Sequence, residues 1–165
     1  MVHFVKGNLL ESNCDYICHQ VNCQGKMNSG IAKQIREKWP IVYKNYMEKY
    51  NILNGVSSAL LGDIQIVGLW EDYYATDFHQ SVINMFSQEH YGYDGRRYTS
   101  YDAFWNCLNL IKRTVPKGKT IGFPKKIGCD RGGANWPVIL EMITEVLGTE
   151  YKVFIYYLEG DDGTY

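Results

Sequence analysis

This chain has no apolar run near the eighteen or so residues that a membrane span requires. It has no excess charge of either sign. Lys and Arg number 17 and Asp and Glu 18, for a net charge of −1, so nothing global draws it to nucleic acid or an anionic membrane. Only a local basic patch would do so. Proline is scarce, at four residues, and there is no linker, repeat or low-complexity block. The five cysteines (14, 18, 23, 107 and 129) are odd in number and lack paired CxxC spacing. That pattern argues against a disulfide framework and a zinc site. Cys14, Cys18, His19 and Cys23 cluster in sequence. Cys18 and His19, however, are adjacent on a strand and point to opposite faces, so no metal is expected. Met1–Lys6 enters a strand pattern without a signal segment, and a cytoplasmic protein is expected.

What is present is an ordinary globular composition. The chain has 165 residues, 45% hydrophobic and 21% charged, enough for one domain with a sizeable core. Aromatic residues reach 15%, with 14 tyrosines. Most of these suit half-buried strand and helix edges, and one or two are free to stack on a base. Strands are expected over Val2–Lys6, Asp15–Val21, Leu61–Leu69, Ser81–Phe86, Lys119–Phe123 and Tyr151–Leu158. Helices are expected over Gly30–Trp39, Ile41–Tyr50, Tyr101–Val115 and Asn135–Leu147. Ile31, Ile35 and Trp39 fall four apart on one face, and Pro40 ends that helix and starts the next. This alternation predicts a layered α/β domain over residues 1–158 around a largely parallel sheet, with 159–165 a polar tail. Gln88–Ser100 has the composition of a loop. Its basic, aromatic centre, His90 to Tyr98, reads either as a lid reaching a phosphate or nucleic acid, or as a solvated surface loop.

Two segments about a hundred residues apart share one design. In Tyr16–Ala32 and Thr120–Trp136 a β-rich run stops at glycines and a helix begins. A helix start offers unpaired N–H groups and partial positive charge, which suit a phosphate. Two such loops at the carboxyl ends of parallel strands can grip a diphosphate from both sides.

These residues also carry a resemblance. Lys6-Gly-Asn-Leu-Leu10, His19-Gln-Val-Asn-Cys-Gln-Gly25 with Gly30-Ile-Ala32, and Ile127-Gly-Cys-Asp-Arg-Gly-Gly133 resemble the macro domain family in order and spacing along nearly the whole chain. The resemblance implies a three-layer α/β/α domain with a mixed, largely parallel sheet that binds ADP-ribose or a derivative. An ADP-ribosylated macromolecule is a further partner it admits, and it implies no metal or cofactor. It places Asn8 at the adenine, Leu9 among the ligand contacts, Asn22 at the ribose, and Gly25, Asn28, Ser29, Gly30 and Ile31 along the distal ribose and diphosphate. Ile127, Gly128, Cys129, Arg131, Gly132 and Gly133 form the opposite phosphate loop, Phe123 packs on ribose and Tyr156 faces the adenine. Asn8 stands where most members have Asp, and Asn28 where glycine is expected.

The branch it most resembles contains phosphatases acting on ADP-ribose 1″-phosphate and deglycosylases. Deglycosylases use a lysine where this chain has Gln88, and an aspartate where it has Gly132. Lys125 and Lys126 are substitutes from the next strand end or solvated charges beside an anion. The phosphatases have a histidine matched by His19, which would orient a water near the terminal phosphate, with Asn22 and Asp130 assisting. The expected activity is therefore hydrolysis of ADP-ribose 1″-phosphate. The alternatives are a non-catalytic ADP-ribose reader and a deglycosylase with altered residues.

Overall fold

The structure is a computed structural model that describes residues 1–69 and 79–161. The last four residues of the expected polar tail lie outside the described residues.

Six strands form one sheet: β1 (Val2–Lys6), β2 (Tyr16–Asn22), β3 (Ile64–Gly68), β4 (Ser81–Gln88), β5 (Thr120–Pro124) and β6 (Lys152–Tyr157). Their order is β1-β6-β5-β2-β4-β3. All neighbours run parallel except β3, which is antiparallel to β4. The helices are α1 (Gly30–Lys38), α2 (Pro40–Ile52), α3 (Ser57–Leu60), α4 (Tyr101–Thr114) and α5 (Trp136–Leu147). One sheet face buries Cys18, Ile83, Ile121 and Val153 against Phe104, Leu108, Ile139 and Ile143 of α4 and α5. The other buries Ile17, Val21, Val82 and Phe86 against Ile35, Val42 and Tyr46 of α1 and α2. The expected α/β/α layering and mixed, mostly parallel sheet are present.

Local chemistry sets the helix ends. Ser100 and Asn135 cap α4 and α5, accepting from the N–H groups of Ala103 and Val138. Pro40 opens α2, so the chain breaks between α1 and α2 as the sequence predicts. Three elements depart from expectation, one of them the short helix α3, which is not among the predicted helices. β3 is shorter than predicted because the chain turns at Gly62 (φ +91°) before entering the strand. A short 3-10 turn, Leu9–Glu11, follows β1, with the Asn8 side chain accepting from Leu10 N–H at 3.0 Å.

The β2–β5 ladder places the functional cleft. It holds only Tyr16 to Ile121 and Ile17 to Gly122 in register. Asp15 clamps this end: its carboxylate accepts from both the N–H and the hydroxyl of Thr120, at 2.8 and 2.9 Å. Beyond those two pairs the strands part, opening a crevice at their carboxyl ends, where parallel sheets receive ligands.

Gly122 lies at the last of those pairs. A Cβ there would sit 2.6 Å from Leu9 Cδ1 and 3.0 Å from Cys14 Sγ, so the 3-10 turn packs directly on β5 backbone. Gly122→Val is expected to lower unfolding free energy by about 1–3 kcal/mol, read as a fall in the urea midpoint. An unchanged midpoint would contradict this packing.

A candidate nucleotide-binding cleft

The crevice is a cleft of about 500 Å³. Its first wall is the segment from Lys26 into the first turn of α1, and its second is the loop after β5. Gln20 and Gln88 form the floor, and Tyr91 and Tyr93 stand at the rim.

The first wall is built around Asn22 and buried Tyr46. Asn22 Oδ1 accepts from Gln24 N–H at 3.0 Å and its Nδ2 donates to Lys26 O at 3.0 Å. The Tyr46 hydroxyl sits 2.9 Å from both Asn22 oxygens and accepts from Lys26 N–H at 3.1 Å. Asn22 thus lines the cleft, but its amide also organises the loop. Gly25 (φ +72°) packs on the Tyr50 ring rather than lining the cleft. Asn28, Ser29, Gly30 and Ile31 do line it. Ser29 holds the N-cap position with extended backbone and no side-chain cap bond, so the start of α1 meets the cleft uncapped. Asn28 accepts from Arg36 at 3.0 Å.

The second wall brings Ile127, Gly128, Asp130, Arg131 and Gly132 into the cleft. Among the described residues, the N–H groups of Gly128, Asp130, Arg131 and Gly132 donate to no backbone acceptor. N–H groups without a backbone acceptor, on a loop that shares a cleft with a helix start, are the kind of donors that suit an anion. The glycines serve packing as well. A Cβ on Gly128 would lie 2.9 Å from Gln20 Oε1, and one on Gly132 would overlap Thr99 Oγ1. Gly133 does not line the cleft; it lets Arg96 O approach a would-be Cβ to 2.9 Å. Cys129 is also outside the lining. Its thiol contacts Ile127 O, and burial first, then Asp130, pushes its pKa up to about 12.

Sequence reasoning singled out Gln88 but missed Gln20 and the network that joins them. Gln20 Nε2 donates to Gln88 Oε1 and Thr99 Oγ1, each at 2.8 Å, and Ser87 donates to Gln20 Oε1 at 2.7 Å. Thr99 donates onward to Gly128 O at 2.7 Å. Backbone bonds from Tyr98 and Thr99 to Gly132 O, and from Ser100 to Ser87 O, complete the tie. Gln88 and Thr99 are buried there. Among the described residues, four cations, Lys26, Lys125, Lys126 and Arg131, line the cleft with one carboxylate, Asp130, and Lys126 lies 3.4 Å from Asp161. The Lys125 side chain is only 2% exposed, 3.5 Å from Asp161 and 5.8 Å from the Tyr157 ring.

Several sequence-based placements change. His19 does not line the cleft: it is fully buried, with Nε2 2.5 Å from Asn84 Oδ1. Asn84 donates to Gln65 at 3.0 Å, and Gln65 to Asn45 O at 2.8 Å, which assigns the Asn84 oxygen to His19 and makes Nε2 the protonated nitrogen. Burial lowers the His19 pKa to about 4 against the raising effect of Asn84. A sealed imidazole has no route to a phosphate, so it is not the general base. Phe123 is also fully buried, in the core beneath α4 and α5, and has no face for a ribose. Asn8 and Tyr156 lie not in the cleft but in a second groove of about 530 Å³, with Gly7, Ser12, Cys14 and Phe154. Leu9 is buried against Gly122 beneath that groove.

No family model matches the chain. It is 25% identical over 148 residues to a DNA ADP-ribosyl glycohydrolase of Thermus aquaticus, spanning 89% of this chain and 38% of that protein. The chain therefore covers well under half the length of the curated relative it matches. Among solved structures, it superposes on the macrodomain of Thermus aquaticus DarG with a TM-score of 0.71 at 22% identity, covering 95% of this chain and 98% of that one. It also superposes on Thermosipho africanus DarTG in complex with ADP-ribose, with a TM-score of 0.72 at 20% identity, covering 96% of this chain and 42% of that one. The architecture is the α/β macro domain fold.

The burial of His19 has a stability consequence. Its folded pKa is depressed, so the unfolded chain binds a proton that the folded chain refuses between about pH 6.5 and 4. Stability is retained above about pH 6.5 and falls as pH drops through that window, by on the order of 3 kcal/mol. His19→Gln is expected to flatten this slope in urea titrations at pH 7.0, 6.0 and 5.0. An unchanged slope would contradict the sealed, neutral imidazole.

Proposed function

We propose that the cleft binds the diphosphate and distal ribose of an ADP-ribosyl group, with the adenine in the adjoining groove at Asn8 and Tyr156. The observation that carries this is the facing of the uncapped α1 start and the N–H-rich loop after β5 across one cleft, beside an excess of cations. Asn8 can still accept from an adenine amino group, without the charge of an aspartate.

The reaction we propose is hydrolysis of the ADP-ribosyl glycosidic bond by water. The naming of the Thermus aquaticus relative as a DNA ADP-ribosyl glycohydrolase favours that class. A lysine adduct is excluded at the end of β4, where Gln88 is neutral, non-nucleophilic and held by Gln20. Attack on a terminal phosphate loses its base with His19. Among the described residues that line the cleft, Asp130 is the one carboxylate, and it is exposed to solvent water. In the step proposed, the water oxygen bonds to the anomeric carbon while the bond from that carbon to its acceptor breaks. Asp130 takes the water proton, and the leaving group keeps the electron pair and is protonated from solvent. Lys26, Arg131 and the loop N–H groups hold the diphosphate and fix the anomeric carbon. A second reading, binding without turnover, is favoured by the neutral Gln88.

Calorimetry with ADP-ribose, paired with an assay of ADP-ribose release from an ADP-ribosylated oligonucleotide, tests both. Wild type is expected to bind and release, and Asp130→Asn to lower release by about 10²-fold or more while still binding ADP-ribose. Binding without any release by wild type would establish the reader. Release unaffected in Asp130→Asn would remove Asp130 as the base. Phosphate release from ADP-ribose 1″-phosphate would restore the phosphatase.

A further inference from the structure

We propose that Asn8 lets the base end of the site take a 6-oxopurine, hypoxanthine, as readily as adenine. This rests on the ADP-ribosyl reading above and defines which nucleoside diphosphate riboses the site admits.

The two bases differ at the six-position of the purine: adenine carries an amino group that donates, and hypoxanthine a carbonyl oxygen that accepts. A protein tells them apart by the polarity of the group it sets against that position. In the groove of Asn8 and Tyr156 that group is a carboxamide whose two ends have different duties. Asn8 Oδ1 accepts from Leu10 N–H at 3.0 Å, capping the 3-10 turn Leu9–Glu11. That bond fixes which end of the amide is oxygen. Asn8 is exposed and lines the groove, and its Nδ2 has no acceptor among the described residues. Nδ2 therefore brings two free donors to the groove, and a carbonyl oxygen is what they match. The oxygen keeps a second lone pair, which an amino group can use. One side chain thus serves both bases.

The rest of the groove does not restore a preference. Among the described residues that line it, the one carboxylate is Glu11. A free carboxylate would attract the amino group and repel the carbonyl. This one is tied back to α1, where Lys38 donates to Glu11 Oε1 at 2.8 Å and to Leu10 O at 2.7 Å. Ser12, Asn13 and Cys14 carry a hydroxyl, an amide and a thiol, each able to donate or accept. None of them opposes the ring nitrogen beside the six-position, which is an acceptor in adenine and an N–H in hypoxanthine. Tyr156, seated against Gly7, offers an aromatic ring, and stacking does not distinguish two purines of the same size.

The test is calorimetric titration of wild type and Asn8→Asp with two probes, ADP-ribose and inosine diphosphate ribose. Aspartate keeps the cap, since its carboxylate accepts from Leu10 N–H as the amide oxygen does, but it replaces the donor with a charged acceptor. Wild type is expected to bind inosine diphosphate ribose no more than about fivefold more weakly than ADP-ribose. Asn8→Asp is expected to move the ratio of the two dissociation constants by about tenfold or more against inosine diphosphate ribose. A wild-type preference for ADP-ribose beyond about fivefold would overturn the proposal. So would a ratio that Asn8→Asp leaves unchanged, because Asn8 would then only cap the turn. If ADP-ribose does not bind, the ADP-ribosyl reading fails instead, and inosine diphosphate ribose alone decides. Binding that Asn8→Asp weakens would then support the donor at Asn8, and no binding would overturn it.

Discussion

One carboxamide holds the site together. Gln20, near the end of β2, fills its amide with Gln88 and Thr99 on one side and Ser87 on the other. Thr99 passes the connection to Gly128. Through these bonds the end of β4, the aromatic loop and the loop after β5 are fixed relative to each other. A buried network of this kind works only when every member is satisfied, and here Gln20 has a partner for both its nitrogen and its oxygen. The cost of that arrangement is chemical. Gln88 occupies the end of β4 as a neutral structural partner, so the proposed hydrolysis leaves the chemistry to water, a carboxylate and the loop N–H groups.

The cleft itself is a consequence of strand pairing. β2 and β5 hold register for two residues beside the Asp15 to Thr120 clamp and then diverge. Glycines 122, 128 and 132 bring three backbones into positions a side chain would block. The same sheet seals His19. Residues of β2 alternate between faces, and His19 falls under α2, where Asn84 and Gln65 carry its hydrogen bonds to Asn45. Gln20, its neighbour, lines the cleft.

The sheet, the helices flanking it and both glycine loops were legible in the sequence, because alternation, helical spacing, capping residues and glycine breaks are local signals. Asn22, Asn28 to Ile31 and the run from Ile127 through Gly132 were therefore located, although Cys129 turns away. The misplacements share a different origin. Whether His19 and Phe123 face a cleft or a core depends on which strands flank them, and that is settled by long-range pairings such as His19 with Asn84 and Phe123 with Ile155. The Gln20 network joins residues from three separated segments, and a glutamine within a strand carries no signal of it. Residues 88–100 read either as a lid whose Arg96 or Arg97 reaches a phosphate or nucleic acid, or as a surface loop; Tyr91 and Tyr93 of that loop line the cleft, and Arg96 and Arg97 do not. The departure from glycine at Asn28 has a local account, its bond to Arg36.

The central claim is that the two loops bind one ADP-ribosyl diphosphate between them. Amide NMR of the isotopically labelled protein during titration with ADP-ribose tests it most directly. The account expects the N–H signals of Gly30, Ile31, Gly128 and Gly132 to move together on a single saturation curve, joined by Tyr156 in the adjoining groove. Signals of Gly118 and Gly148, remote from the cleft, should stay in place. Movement of only one loop, or saturable shifts centred elsewhere, would contradict the account.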